Sequence, residues 1–172
     1  MALTKLGPND AHTIGELPAI GSSAANFTLT ANDMKDVSLN DFAGKNVVLN
    51  IFPSVDTGVC ATSVREFNKR VASLDNTVVL CISKDLPFAQ KRFCGAEGID
   101  RAITLSDFRS HGFGKSYGVE LTDSGFAGLF ARAVVVIDAA GKVKYTELVP
   151  QIGQEPNYEN ALKAINLVES SL

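Results

Sequence analysis

The chain has 172 residues, a formal net charge of −3 and a pI near 5.4, with 45% hydrophobic and 20% charged residues. At about 150 residues per domain this predicts one domain, residues 1–172, able to bury a core without a metal or disulfide staple. The weakly acidic balance argues against a nucleic-acid binder, and three cysteines and two histidines (His12 and His111) make no disulfide framework, four-cysteine zinc site or His-rich metal site.

Met1 to Gly21 carries one Lys, two Pro and no apolar core of signal-peptide length. Gly7-Pro8-Asn9-Asp10 is a turn signal within it and suggests a short hairpin laid on the domain. Phe27 to Thr30 and Val37 to Leu39 alternate apolar and polar residues, as short half-buried strands do. Asn46 to Phe52 and Thr77 to Ser83 read as strands buried on both faces of a sheet. Between them Val64, Phe67, Val71 and Leu74 share one helical face, which completes a βαβ unit. Pro87 to Phe93 starts with Pro, suited to the first turn of a second helix. Ala102 to Leu105 reads as a short strand and His111 to Tyr117 as a short helix. Arg132 to Asp138 and Lys142 to Val149 flank Ala139-Ala140-Gly141 and predict a β-hairpin. Tyr158, Ala161, Leu162, Ile165, Val168 and Leu172 keep the apolar stripe of a final helix. This order predicts an α/β domain with a mixed central sheet and helices on both faces, the order of elements in a thioredoxin-like fold. No apolar stretch approaches the ~20 residues of a membrane span, and the expected compartment is the cytoplasm.

Cys60 ends a loop that leaves a buried strand, and it stands where the next helix begins. Free backbone N–H groups and the positive end of the helix dipole favour a thiolate at such a place. A free cysteine is also often a small buried hydrophobe, and on position alone both readings stand. Cys94 lies at the end of the Pro87 helix among polar residues. It reads either as a helix-end core residue or, beside a reactive Cys60, as a resolving thiol. Cys81 lies inside Val78-Val79-Leu80-Cys81-Ile82 and reads as strand core. Known cysteine chemistries exclude several classes. A tyrosine phosphatase needs Arg where Glu66 stands, and a thioredoxin needs Cys where Ser63 stands. A cysteine hydrolase needs a His base, and His12 and His111 both lie in segments read as surface.

Pro53-x-x-x-Thr57-x-x-Cys60, with Arg132 far along the chain, resembles the active-site signature of the peroxiredoxins. Within them the chain is similar to the bacterial thiol peroxidases, which are atypical two-cysteine enzymes. Asn50 to Ser54, Asp56 to Cys60, Ser63 to Arg65, Phe88 to Gln90, Arg92 to Cys94 and Ala131 to Val134 carry that likeness. A branch with a resolving cysteine five residues on would need Cys where Arg65 stands, and the typical two-cysteine branch needs a cysteine later than Cys94.

The resemblance implies reduction of hydrogen peroxide and alkyl hydroperoxides. Cys60 would attack the O–O bond and become a sulfenic acid. Arg132 would stabilise the charge moving onto the leaving oxygen. The Thr57 hydroxyl would bond peroxide and sulfur, and Pro53 would shield Cys60 from water. Cys94 would condense with the sulfenic acid into an intramolecular disulfide before over-oxidation. Thioredoxin would recycle it, in a homodimer, with no metal, haem or flavin cofactor. Two rival classes share the reactive thiol. A thiol–disulfide oxidoreductase gives no reason for Thr57 and Arg132, and a redox-sensing binder needs no turnover.

Overall fold

A computed structural model of the chain describes residues 1–110 and 112–170, with side chains up to Ile165. The amino terminus forms the expected hairpin, β1 (Leu3–Leu6) and β2 (Asn9–His12), closed at Gly7-Pro8 with Gly7 at φ 61°. The turn demands a left-handed residue there, which glycine adopts without a Cβ penalty.

The main sheet contains β3 (Thr28–Ala31), β4 (Asp36–Ser38), β5 (Asn46–Ile51), β6 (Thr77–Ser83), β7 (Ala102–Ser106), β8 (Ala133–Ile137) and β9 (Val143–Leu148). Their order across it is β4-β3-β7-β6-β5-β8-β9. β5, β6 and β7 run parallel, and the remaining pairs are antiparallel. The helices are α1 (Gly58–Val71), α2 (Pro87–Glu97), α3 (Phe113–Ser116) and α4 (Tyr158–Ser170), with a 3-10 turn at Leu39–Phe42. The mixed sheet with flanking helices is the fold expected from the element order. The short helix predicted from His111 starts at Phe113, and His111, like Leu172 of the predicted last stripe, lies outside the described residues.

Alternation along β5 sorts its side chains between two cores. Val47, Leu49 and Ile51 face one core with Phe27, Phe113, Tyr117 and Phe130. Val48 faces the other with Val64, Phe67 and Val71 of α1, Tyr158, Ala161 and Ile165 of α4, and Phe93 of α2 packed against them. The crossover α1 joins β5 to β6, as a parallel pair requires, and lies against β6 and β7. This topology sets the carboxyl end of β5 beside the start of β8, with Ile51 paired to Ala133. The loop that follows β5 and the residue that precedes β8 therefore meet.

Candidate active site

The chain leaves β5 through Phe52 and Pro53, both buried, and turns at Ser54 to Asp56 into α1. Thr57 is the N-cap, in extended backbone, and its side chain makes no capping hydrogen bond. Cys60 is thus the third residue of α1. It is fully buried, in the core that also holds Phe52, Val55, Val64 and Phe67.

Arg132 stands directly before β8 and is 1% exposed. Its Nη2 donates to Cys60 Sγ at 3.1 Å and its Nε to the Ile152 carbonyl at 2.7 Å. Its Nη1 is buried with no hydrogen-bond partner among the described residues. A guanidinium taken out of water needs compensating partners. Here the fork is fixed at two points by protein, and its third point is an unpartnered donor.

The other expected residues take different places. The Thr57 hydroxyl donates to the Ser54 carbonyl at 3.2 Å, so it serves the loop's own turn and does not touch sulfur. Cys94 is half-buried on α2, with Sγ 3.6 Å from Thr104 Oγ1, which donates to Asn32 Oδ1 at 2.7 Å. The helix does not end at Cys94, as the sequence suggests, but runs to Glu97 and is capped by Gly98 at φ 65°. The N–H groups of Gly98 and Ile99 both donate to the Cys94 carbonyl. All three cysteines are free thiols. Cys81 is buried strand core, as its neighbours predict, and burial pushes its thiol up to about 12. A hydrogen bond from Asn50 works against that rise, and the charge of Cys94 adds to it.

Sequence reasoning missed the groups that hold this site. Ile152 holds Arg132. Ser63 Oγ donates to the Cys60 carbonyl at 2.8 Å and accepts from Asn50 Nδ2 at 3.2 Å. Asp85 accepts from Ser54 Oγ at 2.7 Å and from the Val55 N–H at 2.9 Å. Neither Ile152 nor Asp85 belongs to a spacing that announces it. The only signal for Asp85 is a lone acid just before the Pro87 that starts α2. Among the described residues no group of three or more His, Cys, Asp or Glu side chains could hold a metal ion, and no helix is long and apolar enough to cross a membrane.

The Redoxin family model matches residues 19–162 of the chain. The chain is 60% identical over 165 residues to a thiol peroxidase of Mycobacterium bovis, covering 96% of this chain and 99% of the relative. It is 55% identical over 166 residues to a thiol peroxidase of Corynebacterium glutamicum, covering 96% and 100%. A crystal structure of a peroxiredoxin-like protein from Aquifex aeolicus superposes with a TM-score of 0.91 at 36% identity, over 98% of each chain.

Proposed function

The chain belongs to the Redoxin family, and from that premise we propose that it is a thiol-dependent peroxidase in which Cys60 reduces the peroxide. The observation that carries this reading is the Arg132 fork, with Nη2 3.1 Å from Cys60 Sγ and Nη1 buried and unpartnered. A buried donor left open is costly in a resting protein. It becomes useful when an oxygen that gains negative charge arrives beside the sulfur.

On this reading the Cys60 thiolate attacks one oxygen of a hydroperoxide and the O–O bond breaks. The departing alkoxide or hydroxide takes a proton, leaving alcohol or water and a Cys60 sulfenic acid. Arg132 Nη1 binds the oxygen on which charge develops while Nη2 keeps hold of sulfur. Thr57 turns its hydroxyl from the Ser54 carbonyl to the peroxide, and Pro53 excludes water from the loop. The Cys94 thiol then displaces water from the sulfenic sulfur to form the Cys60–Cys94 disulfide. That bond needs sulfurs ~2 Å apart, so the α2 turn that bonds to the Cys94 carbonyl must open. A dithiol protein of the thioredoxin type returns two electrons by thiol–disulfide exchange, in the cytoplasm, with the enzyme as a homodimer. Residues 1–172 form one catalytic domain.

Peroxide consumption in the presence of a thioredoxin system tests the assignment, with hydrogen peroxide compared against a bulky organic hydroperoxide. Cys60→Ser is expected to be inert and Cys81→Ser active. Cys94→Ser is expected to reduce one equivalent of peroxide rapidly and then stall as the sulfenic acid. Turnover by Cys60→Ser, or a Cys60–Cys81 bridge on peptide mapping of the oxidised protein, would overturn it.

A further inference from the structure

The loop between β5 and α1 roofs Cys60, yet few bonds fix it to the rest of the molecule. Inside the loop, the Asp56 N–H donates to Ser54 Oγ and the Thr57 N–H to the Ser54 carbonyl. Among the described residues, apart from the Ala61 N–H of α1 that donates to the Thr57 carbonyl, three hydrogen bonds tie the loop to other elements. Phe52 N–H donates to the Ile82 carbonyl, and the other two, from Ser54 Oγ and the Val55 N–H, both go to Asp85. An ion pair between Asp56 and Arg92 at 3.6 Å is mostly exposed at both ends and fixes little.

Asp85 is itself held from several sides. Ser83 Oγ donates to its Oδ2 at 2.6 Å, and Ser106 Oγ donates to its backbone carbonyl. Ser83 Oγ in turn accepts from Nε2 of Gln90, at 3.1 Å, and the same amide group donates to the Leu105 carbonyl at 2.9 Å. Gln90 is fully buried on α2, one turn before Cys94. A continuous line of hydrogen bonds therefore runs from the Cys94 helix through Gln90, Ser83 and Asp85 to the Cys60 loop. None of these three side chains bonds to the Cys60 sulfur.

The geometry points to Asp85 as a positioning residue for peroxide reduction: its carboxylate holds Ser54 and Val55 so that the loop presents Pro53 and Thr57 to the peroxide, and Ser83 ties that hold to the helix bearing Cys94. The inference rests on Cys60 being the peroxide-reactive sulfur. The physical reason is the sensitivity of an in-line displacement to small errors of position, since a 1 Å misplacement can cost about 10² in rate. Alkylation of the same sulfur by iodoacetamide makes no demand on a peroxide-shaped site, so it separates positioning from a general loss of structure or of sulfur reactivity.

The test measures two second-order rates on the reduced protein, Cys60 oxidation by hydrogen peroxide and Cys60 alkylation by iodoacetamide, followed by quenching and mass spectrometry. Asp85→Ala is expected to slow the peroxide reaction about tenfold or more while alkylation stays within about threefold of the parent. Asp85→Asn is expected to recover most of the loss, because its carbonyl still accepts from the Val55 N–H and its amide can donate to Ser54 Oγ. Ser83→Ala is expected to give a smaller loss that adds nothing in the Asp85→Ala background, as two members of one network do. Peroxide reduction by Asp85→Ala at the parent rate would overturn the inference, as would equal losses in both reactions or no recovery in Asp85→Asn. Cys60→Ser run alongside keeps the two claims apart: if it consumes peroxide, the assignment of Cys60 fails first.

Discussion

At the residue scale, Arg132 has two anchors, the Ile152 carbonyl and Cys60 Sγ, and its fork geometry serves both at once. Lysine could not do this, because an ammonium is a point charge without a planar fork. Arg132→Ala is expected to lower the second-order rate with peroxide by about 10²–10³, the usual effect of losing one preorganised donor at developing charge, and Arg132→Lys to recover little of it. Rapid-quench oxidation of Cys60 measures this, and an unchanged rate in Arg132→Ala would remove the residue from the mechanism. Cys81 leads to a prediction of a different kind. Burial raises its thiol from 9.0 to about 12, so the folded state keeps this proton longer than the unfolded chain does. The associated stability is fully present below about pH 9 and is lost as pH rises toward about 12. Burial also raises the phenols of Tyr117 and Tyr158, so the same sign applies to them. Melting temperature is expected to fall across that alkaline window, and Cys81→Ala is expected to flatten the fall.

At the element scale, α1 and α2 differ in how firmly they are held. α1 buries Cys60 together with Val64, Phe67 and Val71 of the predicted stripe, and Leu74, the stripe's fourth member, lies past the helix end, partly buried against the same core. α2 buries only Pro87 and Gln90 fully, both in its first half, and Cys94 lies in the looser second half. The last turn closes on the left-handed Gly98, whose N–H bonds to the Cys94 carbonyl. Gly98→Ala places a Cβ in that conformation and is expected to cost about 1 kcal/mol, a few degrees of melting temperature. It is also expected to speed disulfide closure after oxidation, because it weakens the turn that must open. A Gly98→Ala protein that melts lower yet closes the disulfide more slowly would contradict the link between that turn and Cys94. Hydrogen exchange at the Gly98 and Ile99 amides is expected to be faster in the oxidised than in the reduced protein.

At the scale of the whole molecule, the amino-terminal hairpin bears on the site although it lies outside the main sheet. The Ile152 N–H donates to the Lys5 carbonyl at 2.9 Å, and the Ile152 carbonyl receives Arg132. Thr4 Oγ1 donates to the Val149 carbonyl, and Ala11 packs in one cluster with Leu121, Ala131 and Ile152. Asp123 holds the other end of the hairpin, accepting from the His12 N–H and meeting its Nδ1 at 2.7 Å. Removal of residues 1–12 is expected to leave a folded sheet by circular dichroism but to slow the peroxide reaction about tenfold, less than loss of Arg132 itself. Full activity in the truncated protein would show that Ile152 holds its place without the hairpin.

The sequence alone determined the elements whose evidence is local. β5, β6 and α1 are legible because apolar periodicity is a property of neighbouring residues, and Pro53, Thr57 and Cys60 stand out as candidates because one short segment carries all three. Tertiary structure alone decided the burial of Arg132 and its contact with a sulfur 72 positions away. It also decided the hold of Asp85 on the Cys60 loop. The Arg132 contact follows from the β5–β8 pairing in a strand order unlike the chain order, and the Asp85 contact from the parallel β5–β6 pairing that sets the two strands' carboxyl ends side by side. A hydrogen bond between remote residues depends on register and on what excludes water around it, and neither is written in the spacing of the residues that make it.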